Sequence, residues 1–239
     1  HDETVELTDD AVVAHVATAP LTERRHSLNL PQLTVRVDSP MDGVIGVHVD
    51  HFQGVRDRGP AFELTHASDP VVVKAADQPG GFVTLTAGPL TARVRTDSPW
   101  RLDFLAEDRV LTSSVERGLA ALTTPDGAFV REQLTLGVGE HVFGLGERFG
   151  PFVKNGQSVD IWNADGGTAS DQAYKNVPFY LTDGGYGVFV DHPERVSFEI
   201  ASEVVSRSQF SVAGQSLRYY VIYGPSPKEI LRRYTDRKS

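Results

Sequence analysis

Hydrophobic and polar residues alternate along most of the chain with the two-residue period of half-buried β-strands. In QLTVRVDSP, for example, Leu33, Val35 and Val37 fall on one face, and the residues between them are polar. The same pattern predicts strands in GVIGVHVDHF, VVVKAA, FVTLTAG, LTARVRTD, WRLDFLAED, AFVREQLTLGV, VPFYLTD, YGVFVDH, RVSFEIAS, SQFSVAG and LRYYVIYG. Glycine-containing turn sequences such as MDG, PGG, PDG and TDGG separate these segments. Many short strands without helical patterns between them predict an all-β fold, a large antiparallel β-sandwich.

The last residues, GPSPKEILRRYTDRKS, follow a helical pattern instead. Ser226 suits the N-cap, Pro227 the first helical position, and Glu229 the carboxylate position of a capping box. An apolar stripe at helical spacing follows, made of Ile230, Leu231 and Tyr234. We therefore predict a short C-terminal helix.

The chain shows no internal repeat and no low-complexity linker, and the polar stretches 56–60 and 117–127 are interpreted as loops. We predict a β-sandwich domain over residues 1–225, followed over residues 226–239 by the start of a helix that connects to a further domain. The alternative is a terminal helix that docks on its own sandwich. Because the sequence does not begin with methionine, we expect a piece of a longer protein.

Composition excludes several classes of function. The formal net charge of −9 at pH 7 argues against nucleic acid and anionic membrane surfaces as partners. Cysteine is absent, which excludes disulfides, thiolate zinc sites and thiol nucleophiles and fits a cytoplasmic protein. His48 and His51, the closest histidine pair, fall on opposite faces of a predicted strand. We therefore predict no metal or other cofactor.

The segment GLGERFG, residues 144–150, has a G-x-G-x-x-x-G spacing that is one residue too long for a dinucleotide-binding fingerprint. A structural role is the better interpretation, in which the glycines permit close approach of two backbone segments. Glu147 and Arg148 are then expected either to pair with each other or to border a cleft.

The candidate site is the segment DIWNADGGTASDQAYKNVPFY, residues 160–180. An indole such as that of Trp162 covers the apolar face of a pyranose ring, and a carboxylate such as that of Asp165 accepts hydrogen bonds from sugar hydroxyls. Gly166 and Gly167 allow the backbone to turn closely around whatever Asp165 contacts. The alternative places Trp162 in the core, with Asp165 opening an Asx turn.

Several ordered motifs carry a family resemblance. GLGERF, NGQ, WNADGGT, QAYKNVPFY, GYGV and HPERVSFE occur in this order, and VIYGPSPKEILRRYT follows them. Together with GVIGVHVDHFQG and LTLGVGEHVFGLGE upstream, they resemble glycoside hydrolase family 31, specifically its bacterial α-xylosidase branch. The resemblance begins at about Gln32 and continues to the end of the chain.

The resemblance implies a fold and an activity. In that family a galactose-mutarotase-like β-sandwich precedes a (β/α)8 barrel, and the enzymes are retaining exo-glycosidases that release α-linked xylose or glucose. Such chemistry needs two carboxyl groups about 5 Å apart, and in this family both belong to the barrel. We therefore expect no catalytic residue in this chain. The expected partners are an α-xyloside or α-glucoside and the chain's own catalytic barrel. Enzymes of this branch are often oligomers, so the resemblance also implies a homo-oligomer as a partner state.

By motif match, Asp165 is the loop aspartate that contacts the sugar on the leaving-group side of the scissile bond. Trp162 and Asn163 flank it and complete the predicted substrate-binding set. The base of the loop is expected to be supported by Asp171, Lys175 and Asn176.

Two other functions fit parts of the sequence. An autonomous carbohydrate-binding module would use Trp162, together with Trp100, as an aromatic platform. An aldose mutarotase would need a His and Glu pair in a preformed cleft, and the sequence shows no such pairing.

Overall fold

Two antiparallel β-sheets pack face to face and enclose one hydrophobic core between them. The structure is a computed structural model that describes residues 4–17, 32–51, 73–97, 99–163 and 175–236. Strands are numbered in chain order. Over the described ranges, the predicted all-β sandwich is confirmed.

The first sheet contains eight described strands in the spatial order β1-β2-β3-β4-β18-β15-β14-β12. Their bounds are β1 Thr4–Leu7, β2 Ala11–Ala17, β3 Gln32–Met41, β4 Val44–Asp50, β18 Ser216–Tyr223, β15 Tyr186–Val190, β14 Phe179–Thr182 and β12 Val142–Gly144. One edge strand, β12, is therefore only three residues long.

The second sheet contains ten described strands, nine of them in the order β13-β16-β17-β11-β9-β8-β7-β6-β5, with β10 paired to β11. Their bounds are β13 Gln157–Ile161, β16 Val196–Ile200, β17 Arg207–Ala213, β11 Gly127–Thr135, β9 Arg109–Val115, β8 Arg101–Ala106, β7 Leu90–Arg95, β6 Phe82–Ala87, β5 Val73–Gln78 and β10 Ala120–Thr124. Edge strand β13 ends beside the candidate site.

Every segment predicted as a strand contains one in the structure. The interpretation of residues 117–127 as a loop is wrong in part, because β10 lies within them and pairs with β11. Strand β10 escaped prediction because its last three residues are exposed, so it lacks the alternation that burial of one face imposes. The stretch 56–60 lies outside the described residues.

The core is built from the inward-facing residues of both sheets. Its aromatic part runs as a chain of ring contacts. Phe198 lies 6.2 Å from Tyr180 and 6.0 Å from Phe210, and Phe210 lies 5.1 Å from Tyr219, measured between ring centroids. Edge-to-face pairs of this kind add to the free energy gained by burying apolar area. The two sheets are thereby held at the end that carries β13 and β14.

The helix α1, Pro227–Asp236, packs on the outer face of the first sheet. Ile230 and Tyr234 are buried there, and the Tyr234 ring stacks on Phe179 at 4.1 Å. Leu231, the third residue of the predicted stripe, is 43% exposed. The helix thus packs on its own sandwich, and both its predicted role as a connector and the domain boundary at residue 226 stay predictions.

The start of α1 differs from the predicted capping box in one respect. The Ser226 hydroxyl accepts a hydrogen bond from the Glu229 backbone N–H at 3.3 Å, as an N-cap does. The Glu229 carboxylate instead accepts hydrogen bonds from Arg232, at 2.7 and 3.0 Å. The ion pair between Glu229 and Arg232 therefore takes the place of the capping-box hydrogen bond from the Ser226 backbone N–H to the Glu229 carboxylate. Within the described residues, no helix is long and apolar enough to cross a bilayer.

Candidate functional site

A pocket of about 250 Å³ opens where β13 ends, between the residues that precede β14 and the connection from β15 to β16. We call it the tryptophan pocket. Its lining residues are Ile161, Trp162, Asn163, Asn176, Pro178, His192, Pro193 and Glu194. The pocket combines apolar surface with amide, imidazole and carboxylate groups.

The pairing of β13 with β16 explains why these residues meet. The register places Ile161 opposite Val196, so that continuing it by one residue sets Trp162 across from Arg195. The Arg195 guanidinium lies 5.8 Å from the centroid of the Trp162 ring, within range of a cation–π contact. Arg195 also pairs with the Asp160 carboxylate at 3.4 Å, which fixes the position of the cation.

Asn176 ties the two ends of the candidate loop together. Its Nδ2 donates hydrogen bonds to the Trp162 carbonyl at 2.8 Å and to Oδ1 of Asn163 at 3.0 Å. Its backbone N–H also donates to Oδ1 of Asn163, at 3.3 Å. Trp162 and Asn163 are therefore held at the wall of the pocket by a residue from the other end of the loop.

Arg148 supports Asn176 from behind. Its Nη2 donates hydrogen bonds to Oδ1 of Asn176 and, at 2.6 Å, to the Asp160 carbonyl. Its Nε donates to the carbonyl of Leu145 at 3.2 Å. Arg148 lies behind Asn176 and is not among the described residues that line the tryptophan pocket. The carboxylate of the neighbouring Glu147 pairs with Lys175 at 2.7 Å. We call Arg148 and Asn176 together the loop bracket.

The glycines of GLGERFG have the structural role predicted for them. Gly146 has φ of +86°, and a Cβ added there would lie 2.2 Å from the Lys175 carbonyl oxygen. Gly144 has φ of +110°, and its added Cβ would lie 2.8 Å from the carbonyl oxygen of Phe179. Close approach of these backbones brings Arg148 within reach of Asn176.

The two tryptophans have opposite environments. Trp162 is 51% exposed, so the interpretation that buries it in the core is wrong. Trp100 is 7% exposed, and its Nε1 donates a hydrogen bond to the Ser114 hydroxyl at 2.9 Å. Trp100 therefore cannot serve as half of an exposed aromatic platform.

Some of the predicted site residues lie within the described ranges, and others lie outside them. Trp162, Asn163, Lys175 and Asn176 are described, and the structure brings Trp162, Asn163 and Asn176 together. Asp165 and Asp171 lie outside the described residues, so the contact predicted for Asp165 stays a prediction.

Sequence reasoning missed the opposite wall of the pocket, which His192, Pro193 and Glu194 form. Burial lowers the pKa of His192, although the nearby Glu194 and Asp191 carboxylates oppose that effect. The His192 ring is therefore mostly neutral at pH 7, and its Nε2 is buried without a hydrogen-bond partner among the described residues. The signal that was available is the HPE sequence, residues 192–194, directly before the predicted strand RVSFEIAS.

The groups at the pocket suit a hydroxylated, uncharged ligand. An exposed indole covers C–H surface, and amide and carboxylate groups exchange hydrogen bonds with hydroxyls. Within the described ranges, no group of three or more histidine, aspartate or glutamate side chains is placed to hold a metal ion. The chemistry available here is binding and orientation.

Exposed phenylalanines lie on the connection from β12 to β13, close to the loop bracket in sequence. Phe149 is 76% exposed and Phe152 is 79% exposed. The Phe152 ring contacts Phe143, with 5.2 Å between centroids. We call these three residues the phenylalanine patch. Phe149 lies three residues before Phe152 in sequence, and large exposed apolar side chains are typical of an interaction surface where they are contiguous.

Comparison with protein families gives one match that spans most of the chain. Residues 34–199 match the model of the glycosyl hydrolase 31 N-terminal galactose mutarotase-like domain. The matched range begins in β3 and ends in β16, and it contains the tryptophan pocket and the loop bracket.

Two curated relatives are α-xylosidases. The chain is 47% identical over 224 residues to α-xylosidase XylQ of Lactiplantibacillus pentosus, covering 92% of this chain and 29% of that protein. It is 43% identical over 235 residues to an α-xylosidase of Emericella nidulans, covering 89% of this chain and 30% of that protein. The chain therefore spans about 30% of the length of these relatives.

Solved structures share the fold. A glycoside hydrolase family 31 dextranase of Flavobacterium johnsoniae in complex with glucose superposes with a TM-score of 0.77 at 22% identity, covering 98% of this chain and 27% of that one. A family 31 α-xylosidase from a soil metagenome in complex with xylose gives 0.74 at 15% identity, covering 97% of this chain and 34% of that one. At these identities the likeness shows the fold alone.

Proposed function

The chain belongs to glycoside hydrolase family 31, as its N-terminal galactose mutarotase-like domain, and we propose that it shapes the sugar pocket of a retaining, exo-acting α-xylosidase. Identities of 47% and 43% to two α-xylosidases support this activity over that of other family members. The chain spans about 30% of those relatives, and we propose that the two carboxyl groups that a retaining mechanism needs belong to the remainder of such an enzyme. This domain contributes substrate contacts.

The observation that carries the proposal is the placement of Trp162 and Asn163. Both line the tryptophan pocket, and hydrogen bonds from Asn176 fix them there. The indole is half exposed, which leaves apolar ring surface for the C–H face of a sugar. Asp165, two residues further on, accepts a hydrogen bond from a hydroxyl of the leaving-group sugar and transfers no proton.

The partner of this domain is the catalytic barrel that follows it in a longer chain. The phenylalanine patch supports this docking, because Phe149 and Phe152 are exposed only a few residues from Arg148. Burial of such side chains stabilises an interface by about 1.5–3 kcal/mol each. We propose that docking there sets the tryptophan pocket at the rim of the active site.

The first test compares this 239-residue chain with the complete enzyme on an aryl α-xyloside and on isoprimeverose. Hydrolysis by the complete enzyme and none by this chain is the expected result. Turnover by the purified chain, with contamination excluded, contradicts the proposal that the catalytic groups belong to the rest of the enzyme.

The second test changes Asp165 to Ala in the complete enzyme. We expect kcat/KM to fall about tenfold for isoprimeverose, since one charge-assisted hydrogen bond to the leaving-group sugar is lost, and to change little for the aryl α-xyloside. Asp126→Ala, in the turn between β10 and β11, is a matched control. Equal kcat/KM for isoprimeverose in the wild type and the Asp165 variant argues against the role given to Asp165.

An autonomous carbohydrate-binding module is the second candidate, and the half-exposed Trp162 beside a pocket favours it. The burial of Trp100 removes the second ring of its platform. Titration of this chain with xylose and isoprimeverose separates the two candidates. Micromolar affinity supports the binding module, and no binding supports the pocket-shaping domain.

A further inference from the structure

Three segments that are distant in sequence meet at the loop bracket. Arg148 follows β12, Asp160 and Trp162 mark the end of β13, and Asn176 precedes β14. We propose that Arg148 and Asn176 are positioning residues for substrate: Arg148 orients the Asn176 amide, and that amide holds Trp162 and Asn163 at the pocket. This inference rests on the proposed function.

Only one orientation of the Asn176 side-chain amide matches its donor and acceptor atoms to the groups around it. Oδ1 faces the Arg148 guanidinium, which can only donate, and Nδ2 faces two acceptor oxygens, of Trp162 and Asn163. A flipped amide would set donor against donor and acceptor against acceptor. Arg148 therefore determines which way Asn176 points, and so which atoms of the pocket wall it can hold.

An arginine is required at position 148 by geometry. The guanidinium donates at once to the Leu145 carbonyl, the Asp160 carbonyl and Oδ1 of Asn176. A lysine keeps the charge but presents a single ammonium on a flexible stem, so it cannot reproduce this planar set of donors. Both Arg148 and Asn176 are partly buried, which limits competition from water.

Asp160 couples the bracket to the other side of the indole. Its carbonyl accepts from Arg148 at 2.6 Å, while its carboxylate accepts from the Ser197 hydroxyl at 2.6 Å and pairs with Arg195. Arg195 is the cation that lies against the Trp162 ring. The backbone and the ring of Trp162 are thus located by two separate contacts that share Asp160.

The experiment uses two bracket variants, Asn176→Asp and Arg148→Lys, and one control. Asn176→Asp keeps an acceptor for Arg148 and removes the side-chain donor to Trp162 and Asn163, while the backbone N–H still donates to Asn163. Ser158→Ala is the matched control, because it lies on β13 and loses one exposed hydrogen bond, to Glu199. Arg148→Lys provides a second measurement if Asn176→Asp folds poorly.

Two readouts are expected to change in the bracket variants. In this chain, acrylamide quenching of Trp162 fluorescence, taken as the difference from the Trp162→Phe protein, rises by up to about twofold, because the indole is already 51% exposed. In the complete enzyme, KM for isoprimeverose rises about tenfold, as the loss of two hydrogen bonds of ordinary strength predicts. We expect kcat/KM to fall more for isoprimeverose than for an aryl α-xyloside, because only the disaccharide carries a leaving-group sugar.

Comparison with Asp165→Ala separates failure of this inference from failure of the proposed function. Bracket variants that match wild type and Ser158→Ala in both readouts overturn the positioning role, while a loss in Asp165→Ala still supports the function. In another outcome, quenching and KM change in the bracket variants while Asp165→Ala keeps the wild-type kcat/KM for isoprimeverose. That outcome supports the positioning role and overturns the role of Asp165. If none of the variants affects isoprimeverose, both proposals are wrong.

Discussion

The Tyr219 phenol donates a hydrogen bond to Oε2 of Glu132 at 3.1 Å, deep between the two sheets. The Ser114 hydroxyl and the backbone N–H of Gln133 donate to Oε1 of the same carboxylate, each at 2.9 Å. Glu132 is 1% exposed. Burial raises the pKa of its carboxyl group to about 7, and the hydrogen bonds to the ionised form only partly oppose that effect.

This carboxyl group makes stability depend on pH. Its pKa is about 7 in the folded protein against 4.5 ordinarily, so the folded state binds the proton more tightly. The associated stability is fully present below about pH 4.5 and is lost as pH rises through 7. The loss amounts to about 3 kcal/mol, since each pKa unit corresponds to about 1.4 kcal/mol. Urea unfolding at pH 5 and pH 8 measures it.

Glu132→Gln is expected to remove this part of the pH dependence, because a neutral amide replaces the titrating group. Glu199→Gln is the control, since it removes the same charge from a half-buried residue of β16. If wild type and Glu132→Gln lose stability equally between pH 5 and pH 8, another group is responsible.

Gly146→Ala tests the close backbone approach under the loop bracket. The added Cβ lies 2.2 Å from the Lys175 carbonyl oxygen, and φ of +86° is strained for alanine. We expect a loss of about 2–4 kcal/mol in the free energy of unfolding, combining both effects. Gly139 has φ of +74° and nothing within 4 Å of an added Cβ. Gly139→Ala is therefore expected to lower the free energy of unfolding by only about 1 kcal/mol, from backbone strain. Equal losses in the two variants contradict the steric account.

Ile230→Ala tests whether α1 is an integral part of the sandwich. The side chain is fully buried against the first sheet, so its truncation is expected to lower the free energy of unfolding by about 2–5 kcal/mol. Leu231→Ala, on the exposed side of the same helix, is expected to cost less than about 1 kcal/mol. Similar small effects of both changes indicate a helix that unfolds on its own.

The phenylalanine patch is expected to make this chain self-associate when no other domain covers it. Sedimentation velocity at increasing protein concentration detects the association. The double variant Phe149→Ser with Phe152→Ser is expected to remain monomeric over the same range. Val138→Ser, which removes an exposed apolar side chain from a separate turn, is expected to behave as wild type.

Alternation predicted most of the strands whose one face enters the core, because burial imposes it on them. It was overlooked in β2, where Val12, Ala14 and Val16 face the core. Strands β1, β9, β12 and β13 were also missed, and β1 and β12 contain only four and three residues. The candidate site shows the same division. Trp162 and Asn163 were predicted from local residue types, whereas Glu194 meets them only through the pairing of β13 with β16, which local patterns do not reveal.

The loop bracket has a practical consequence for redesign. The contacts that hold Trp162 and Asn163 come from Arg148, Asp160 and Asn176, which lie outside residues 164–174. A library that varies residues 164–174 should therefore keep Arg148, Asp160 and Asn176 unchanged. Doubling the length of a loop costs only about 0.6 kcal/mol in closure entropy, so such a library can also vary length.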